Sequence, residues 1–363
     1  MRILLFTTDY PPMKGGISVY CFELFRHLQK KGIKVSVRSI RSISLLKYIY
    51  SFIAVLWKCI FCKTDHIITA GWYPCGAIGW INSRITGVPF SIISFGSELN
   101  YQPGGMFRMV KLWLRNGFKK HIFKDAHAHI AISRYTSGLL EKIIQTDHSE
   151  IKTILPGVNT QFFYPGKPDQ NILMKYGLKN KNFFLSVGRI VPNKGFQKVI
   201  EILPELIKTH PDLIYCIAGD GSVRNALQSM VTNAGLEESV IITGNISDNE
   251  LLSLYRACEF IVVPSYHDLQ KGIVEGFGLV ILEANACGSA AIGSKFGGIP
   301  EAILDGSTGF LIEPESTSEL RDKILKLLED VNLRTNMKTR AQKWALEHDW
   351  SIVADKILEV ITN

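Results

Sequence analysis

Short apolar runs alternate with longer amphipathic stretches along most of this 363-residue chain. Runs at 3–7, 34–37, 66–69, 90–94 and 128–132 predict one set of strands, and runs at 183–187, 213–218, 240–243, 260–263 and 290–293 predict a second. Most are continuously apolar rather than alternating, which indicates strands buried on both faces, hence parallel sheets covered by helices. The stretches between them carry helical spacing. The first such helix covers 17–31, and Ser247-Asp-Asn-Glu250 has the spacing of a capping box opening another. Pro156, Gly157, Pro165, Gly166 and Pro168 cluster between the two passages and fit a linker. The expectation is an α/β chain of two doubly wound, Rossmann-like domains, 1–165 and 166–346, with a cleft between them. In such sheets ligands bind beyond the carboxyl ends of the strands.

One predicted helix stands apart. Residues 45–62 read LLKYIYSFIAVLWKCIFC, close to the length of a membrane span but broken by Lys47 and Lys58. A central lysine makes a spanning helix costly. Two readings remain: a core helix whose lysines snorkel, or a helix whose outer face dips into a bilayer. The segment 111–124 mixes bulky apolar residues with five Lys/Arg, one His and no acid, and favours the second. Cys59 and Cys62 lack a second ligand pair, so zinc is not expected there.

Composition narrows the class. The length suits two domains, and an apolar fraction of 46% excludes a disordered chain. The opening Met1-Arg-Ile-Leu-Leu-Phe reads as a strand, not a signal peptide, and seven scattered cysteines suit a reducing, cytoplasmic setting. The net charge of +8 is unevenly spread: residues 1–170 hold 22 Lys/Arg against 9 Asp/Glu. A basic first half points to an anionic partner such as a membrane surface or a pyrophosphate-linked acceptor. Nucleic acid would rest on charge alone.

The chemistry concentrates at 275–283, Glu-Gly-Phe-Gly-Leu-Val-Ile-Leu-Glu, which has a carboxylate at each end. Gly276 and Gly278 flank Phe277 just before an apolar run that should start a helix. Glycines there let a ligand approach the backbone, and the first free N–H groups, near Gly278, Leu279 and Val280, favour an anion. Glu283 follows about a turn and a half later, where a carboxylate can accept hydrogen bonds from two hydroxyls. Phosphate at a helix start and a diol nearby describe a sugar nucleotide.

Gly188-Arg189 and Lys194-Gly195 lie between a predicted strand and a helix. Arg189 can grip oxygens as a fork and Lys194 as a point charge, a pairing suited to a diphosphate. No Asp-x-Asp pair occurs, so these cations and the N–H groups at the helix start could neutralise the diphosphate without a metal. Gly15-Gly16, after the first strand, could offer N–H groups to the same phosphate, although a plain turn also explains them. Gly219 and Gly221 fit either a nucleotide approach or a tight turn.

Taken in order, Gly15-Gly16, Pro156-Gly-Val-Asn159, Gly188-Arg189 through Lys194-Gly195, Ala218-Gly-Asp-Gly221, the two glutamates and Gly297-Gly-Ile-Pro-Glu301 resemble family 4 of the retaining glycosyltransferases with GT-B architecture. The resemblance covers nearly the whole chain. It implies that Arg189, Lys194 and Glu275 are catalytic, with Glu275 contacting the transferred sugar and the two cations stabilising the leaving diphosphate. It implies donor binding by Gly16, Gly188, Ile246, Phe277, Gly278, Leu279, Val280 and Glu283, the last on the ribose and Ile246 near the base. A UDP-sugar, a lipid-linked or cell-surface glycan acceptor, no cofactor or metal, and a peripheral position on the inner face of a membrane are the corresponding expectations. The last helix, about 347–363, should return to the first domain. The chain departs from the family's His-Gly-x-Asp/Glu element: Ser94-Phe-Gly-Ser-Glu98 places Phe95 at the histidine and keeps Glu98, a candidate for orienting the acceptor. His127 and His129 read as structural, while His267 could touch the sugar. The departure at Phe95 leaves a non-catalytic sugar-nucleotide-binding scaffold as the alternative. A nicotinamide dehydrogenase is disfavoured because no Gly-x-Gly-x-x-Gly follows the first strand.

Overall fold

A computed structural model of the chain describes residues 1–13, 15–40, 44–100, 117–145, 151–266 and 274–363. The chain divides into two units. The first comprises Met1–Gly157, residues 274–277 and Trp350–Asn363; the second comprises 158–266 and Gly278–Asp349.

The first unit is built on a six-stranded sheet ordered β2-β1-β3-β4-β5-β6. Its strands are β1 (Arg2–Thr7), β2 (Lys34–Ser39), β3 (His66–Ala70), β4 (Phe90–Ser94), β5 (Ala128–Ala131) and β6 (Ile151–Thr153). All pairings are parallel. β3 and β4 are buried along their full length, as their unbroken apolar pattern requires. β6 was not evident in the sequence: only Ile151 of its three residues is buried.

The last helix, Trp350–Thr362, belongs to this unit. Trp350 is fully buried and meets Tyr20 edge to face at 4.9 Å, on the helix Gly16–Lys30. Lys31 and Asp355 pair at 2.7 Å outside that contact. Burying one such large aromatic side chain contributes about 1.5–3 kcal/mol, more than a surface ion pair does.

The helix Leu45–Phe61 is capped by Ser44, whose hydroxyl accepts the Lys47 N–H at 3.3 Å. Its inner face is narrow, with Ser51, Val55 and Cys59 buried. Residues 117–124 are helical, and Ile122 and Phe123 are wholly buried. Lys119 is buried with them, while Phe118, Lys120, His121 and Lys124 are exposed; residues 111–116 lie outside the described residues. Among the described residues no helix is long and apolar enough to cross a membrane.

The second unit carries a second parallel six-stranded sheet, ordered β12-β11-β10-β7-β8-β9. Its strands are β7 (Asn182–Val187), β8 (Leu213–Ala218), β9 (Val240–Gly244), β10 (Phe260–Val263), β11 (Ala290–Ser294) and β12 (Gly309–Ile312). Phe184 stacks between Tyr215 and Phe260, with centroids 4.9 and 5.5 Å away. β12, also not evident in the sequence, fits against β11 because it opens on Gly309: a Cβ there would stand 1.9 Å from the Ala291 carbonyl oxygen. The capping box is formed, with Ser247 and Glu250 bonding each other's backbone N–H groups at 3.3 and 2.8 Å. From β7 the chain winds outward to β8 and β9, then returns to β10 on the other side. The crevice between β7 and β10 is therefore the point at which a doubly wound sheet binds its ligand.

Candidate active site

The loops leaving β7 and β10 are joined at this crevice. Tyr266 N–H donates to the Asn193 carbonyl at 2.9 Å, and Gln197 Nε2 donates to the Tyr266 hydroxyl at 3.2 Å. Gly195 has φ +73°, and a Cβ there would lie 2.0 Å from the Pro264 carbonyl oxygen. The glycine after Lys194 is thus fixed by a backbone crossing, which holds the lysine at the crevice. Gly188 has φ +146°, a conformation that favours glycine, and the Lys194 stem passes in van der Waals contact over it. Arg189 is exposed on the same loop, and Lys194 is half-buried.

The loop after β8 braces this one. Ile190 N–H donates to the Asp220 carbonyl at 2.9 Å. A Cβ on Gly219 or Gly221 would meet the carbonyl oxygens of Gly188 and Ile190 at 1.9 and 2.3 Å. These two glycines serve close backbone packing beneath the cationic loop, which accounts for them without a ligand. Ile246 is half-buried in the loop after β9.

Gly278 has φ +96° and caps the helix Leu279–Ala286 from the left-handed region. Leu279 and Val280, the first two helical residues, are half-buried, so the start of the helix stays open to ligand. Glu283 follows on this helix. Its Oε2 accepts a hydrogen bond from the Tyr255 hydroxyl at 2.9 Å. Tyr255 is buried, and Phe163 packs against it edge to face at 5.9 Å. Burial, and then the charge of Glu283, push the phenol well above its ordinary value, so it remains a donor. Sequence reasoning missed Tyr255. It occupies the inner face of an amphipathic helix, where a tyrosine reads as core; only its hydroxyl, which needs a buried partner, was a signal.

Gly188, Arg189, Lys194, Ile246, Gly278, Leu279, Val280 and Glu283 thus gather at the carboxyl ends of one sheet. Gly16, Glu98, Glu275 and Phe277 belong to the first unit. The stretch from Glu275 to Glu283 passes from one unit to the other between Phe277 and Gly278. Glu275 is half-buried and Phe277 buried. Gly276 lies against the Phe95 backbone: a Cβ would come 2.5 Å from the Phe95 carbonyl oxygen and 2.9 Å from Ile132 Cδ1. Gly16 opens its helix, preceded by Gly15 at φ +154°.

Phe95 itself points inward. It is buried and meets Tyr20 edge to face at 5.2 Å, completing a row with Trp350. The position that holds histidine in the family element therefore contributes to packing here. Glu98 Oε1 accepts the Phe95 N–H at 2.7 Å, while Oε2 is buried with no hydrogen-bond partner among the described residues. Burial raises the Glu98 carboxyl, offset by the Phe95 N–H and by the charge of Lys119. Lys119 is a further residue the sequence did not single out. It is buried, donates to the Leu99 carbonyl at 2.9 Å and stands 5.3 Å from the Trp72 ring centroid. Trp72 Nε1 in turn donates to the Glu98 carbonyl at 3.0 Å. His129 is buried and His127 meets His66 edge to face at 5.3 Å; His267 lies outside the described residues.

The family model for group 1 glycosyl transferases matches residues 169–344, and that for glycosyltransferase family 4 matches residues 14–162. The chain belongs to the family 4 glycosyltransferases, and its two parallel sheets are those of the GT-B fold. It is 27% identical to a GDP-mannose-dependent alpha-(1-6)-phosphatidylinositol monomannoside mannosyltransferase of Mycolicibacterium smegmatis, over 99% of this chain and 98% of that one. Among solved structures it resembles Anabaena Alr3699/HepE in complex with UDP and glucose, with 21% identity, TM-score 0.79, and 100% and 99% of the two chains covered. A sucrose-phosphate synthase from Thermosynechococcus elongatus gives TM-score 0.81 at 20% identity, over 99% and 98%. The chain is a glycosyltransferase.

Proposed function

We propose that this enzyme transfers a sugar, with retention of configuration and without a metal, from a UDP-sugar to a lipid-linked or cell-surface glycan acceptor. The product would be a glycolipid, lipopolysaccharide or polysaccharide built at the cytoplasmic face of a membrane. The observation that carries the donor assignment is the crevice between β7 and β10. There Arg189 and Lys194 share one braced loop, and the open helix start at Gly278 leads to Glu283 on the same side of the sheet. The roles follow from chemistry. The two cations and the N–H groups of Leu279 and Val280 hold the diphosphate and take up its charge as the C1–O bond breaks. Glu283 receives the ribose hydroxyls, and Glu275 the hydroxyls of the moving sugar.

The acceptor oxygen bonds to C1 on the face the diphosphate leaves, and its proton passes to a departing phosphate oxygen. With Phe95 packed inward, a histidine at that position is not required by this route. Glu98, whose second carboxylate oxygen has no hydrogen-bond partner among the described residues, is proposed to orient the acceptor. A GDP-mannose donor is a second reading, favoured by the mycobacterial relative's own donor.

The test is transfer of labelled sugar from a panel of UDP- and GDP-sugars into a membrane extract, with the anomer of the product read by NMR. A UDP-sugar should be turned over in the presence of EDTA. Removing a donor to the developing oxyanion costs on the order of 10²–10³ in rate, the loss expected for Lys194→Ala. Full activity of Glu275→Ala would overturn the site assignment. Binding of nucleotide sugar without turnover of any acceptor would support the scaffold.

A further inference from the structure

The helix Leu45–Phe61 presents an outer face that nothing in the described chain covers. Leu45, Leu46, Ile49, Tyr50, Ile53, Trp57, Ile60 and Phe61 are all exposed. Leu46 is 80% exposed, Leu45 74%, Phe61 70% and Trp57 55%. At about 100° per residue these eight positions fall within one sector of about 160°. The three buried positions, Ser51, Val55 and Cys59, fall on the opposite side. The helix is therefore amphipathic in an unusual sense: both faces are apolar, and only one is used for packing. Tyr73 and Ile85, in the same unit, are also exposed, at 52% and 58%. Contiguous exposure of this extent marks an interaction surface.

Charge identifies the occupant. Between Glu23 and Asp65 the chain has no acidic residue and nine Lys/Arg. Lys47 and Lys58 project along the margin of the apolar sector, next to Tyr50 and Phe61 on the helical wheel. Arg38, on the edge strand β2, lies over the Tyr50 ring at 4.6 Å and extends the same margin. An apolar stripe bordered only by cations suits a layer that is apolar below and anionic above. A second copy of this chain would set like charges together with no acid from this stretch to meet them. The 17 residues make a rod about 25 Å long, enough to lie along a bilayer.

We propose that this face is a membrane-docking surface that inserts Leu46, Ile49, Ile53, Trp57 and Phe61 at the acyl boundary of an anionic bilayer while Arg38, Lys47 and Lys58 meet the headgroups. The inference deepens the reading of a lipid-linked acceptor and rests on it for its purpose, but its physical test is independent of turnover.

The full chain is mixed with vesicles of phosphatidylcholine alone or with phosphatidylglycerol, and flotation is followed at low and high salt. Wild type should float with the anionic vesicles at low salt, and Ile49→Ser/Ile53→Ser/Trp57→Ser should reduce the bound fraction at least tenfold. Arg38→Glu/Lys47→Glu should weaken binding and flatten its salt dependence. UDP-induced thermal stabilisation, unchanged in both, reports that the fold and the donor site are intact. In a second measurement Trp57→Phe should still float, but should lose most of the quenching of tryptophan emission by brominated lipid. Failure of wild type to float, undiminished flotation of the triple variant, or full quenching in Trp57→Phe would each overturn the proposal. So would a dimer that the triple variant dissociates while flotation persists. If flotation behaves as expected and no sugar is transferred, the docking surface stands and the acceptor reading falls.

Discussion

Among single residues, the donor crevice is governed by contacts that carry little sequence signal. Glu283 announces itself by its spacing from Glu275, but a group that helps to orient it is Tyr255, near the end of the helix Asp248–Ala257 in the same unit. A hydrogen bond to a charged group contributes about 1.5–3 kcal/mol. Tyr255→Phe removes that bond and leaves the ring and its packing against Phe163. If Glu283 holds the ribose as proposed, the donor KM should rise roughly tenfold, with a smaller change in kcat, because such a contact is made alike in ground state and transition state. Steady-state kinetics at varied donor decide it: an unchanged KM would show that Glu283 is held by other means. The glycines teach a related point. The sequence left Gly219 and Gly221 open between a nucleotide approach and a tight turn; they, like Gly195, are accounted for by a carbonyl oxygen that a Cβ would strike. A one-dimensional pattern shows that something comes close, not whether it is ligand or backbone.

At the scale of elements, long apolar strands were legible and short edge strands were not. β3, β4, β8 and β10 are buried throughout and appear as runs; β6 and β12 lie at sheet edges, where one buried residue or an opening glycine erases the signal. The helix at 117–124 divides its residues: Lys119 is buried with Ile122 and Phe123, while Phe118, Lys120 and Lys124 are exposed. The amino ends of the first sheet carry a pH-dependent feature. His66 opens β3 and its Nε2 lies 2.8 Å from the Ser91 hydroxyl of β4, with the His127 ring beside it. Burial, and then the charge of His127, lower His66 to about 4. The folded state then binds this proton less readily than the unfolded chain, whose imidazole titrates near 6.5. Stability is therefore full above about pH 6.5 and declines as the pH falls towards 4, by up to about 3 kcal/mol from this group. Glu98 acts oppositely, since its raised carboxyl favours the folded state as pH falls. The cleanest measure is therefore the difference between wild type and His66→Asn in denaturant melts from pH 7.5 to 4. The variant should be less stable at pH 7.5, and the gap should shrink by about 2–3 kcal/mol on acidification. A constant gap would mean that His66 is protonated in the fold.

For the whole molecule, charge and chemistry are segregated. Residues 1–170 hold a net +13 and the remainder a net −5. The exposed apolar face and its cations belong to the first unit, while the braced loop of Arg189 and Lys194, and Glu283, belong to the second. This division was legible in the sequence as two strand–helix passages around a proline-rich linker; the return of the last helix to the first unit was expected only from the family resemblance, because an aromatic opening a terminal helix carries no address of its own. The segregation predicts that two ligands protect two different sets of amides. Hydrogen exchange with UDP present should slow at 188–195, 244–246 and 278–281, where backbone N–H groups line the crevice. At a ligand concentration of about 100 times Kd the stabilisation available to the bound state is about 2.7 kcal/mol, ample for a measurable effect. Anionic vesicles should instead protect 45–61, a helix whose outer face gains cover only on docking. Each pattern should appear when its own ligand is added alone, since the two sets share no residue. Protection of 45–61 by UDP, or of 188–195 by vesicles in the absence of nucleotide, would contradict this separation and would require the donor and lipid sites to be coupled through the chain.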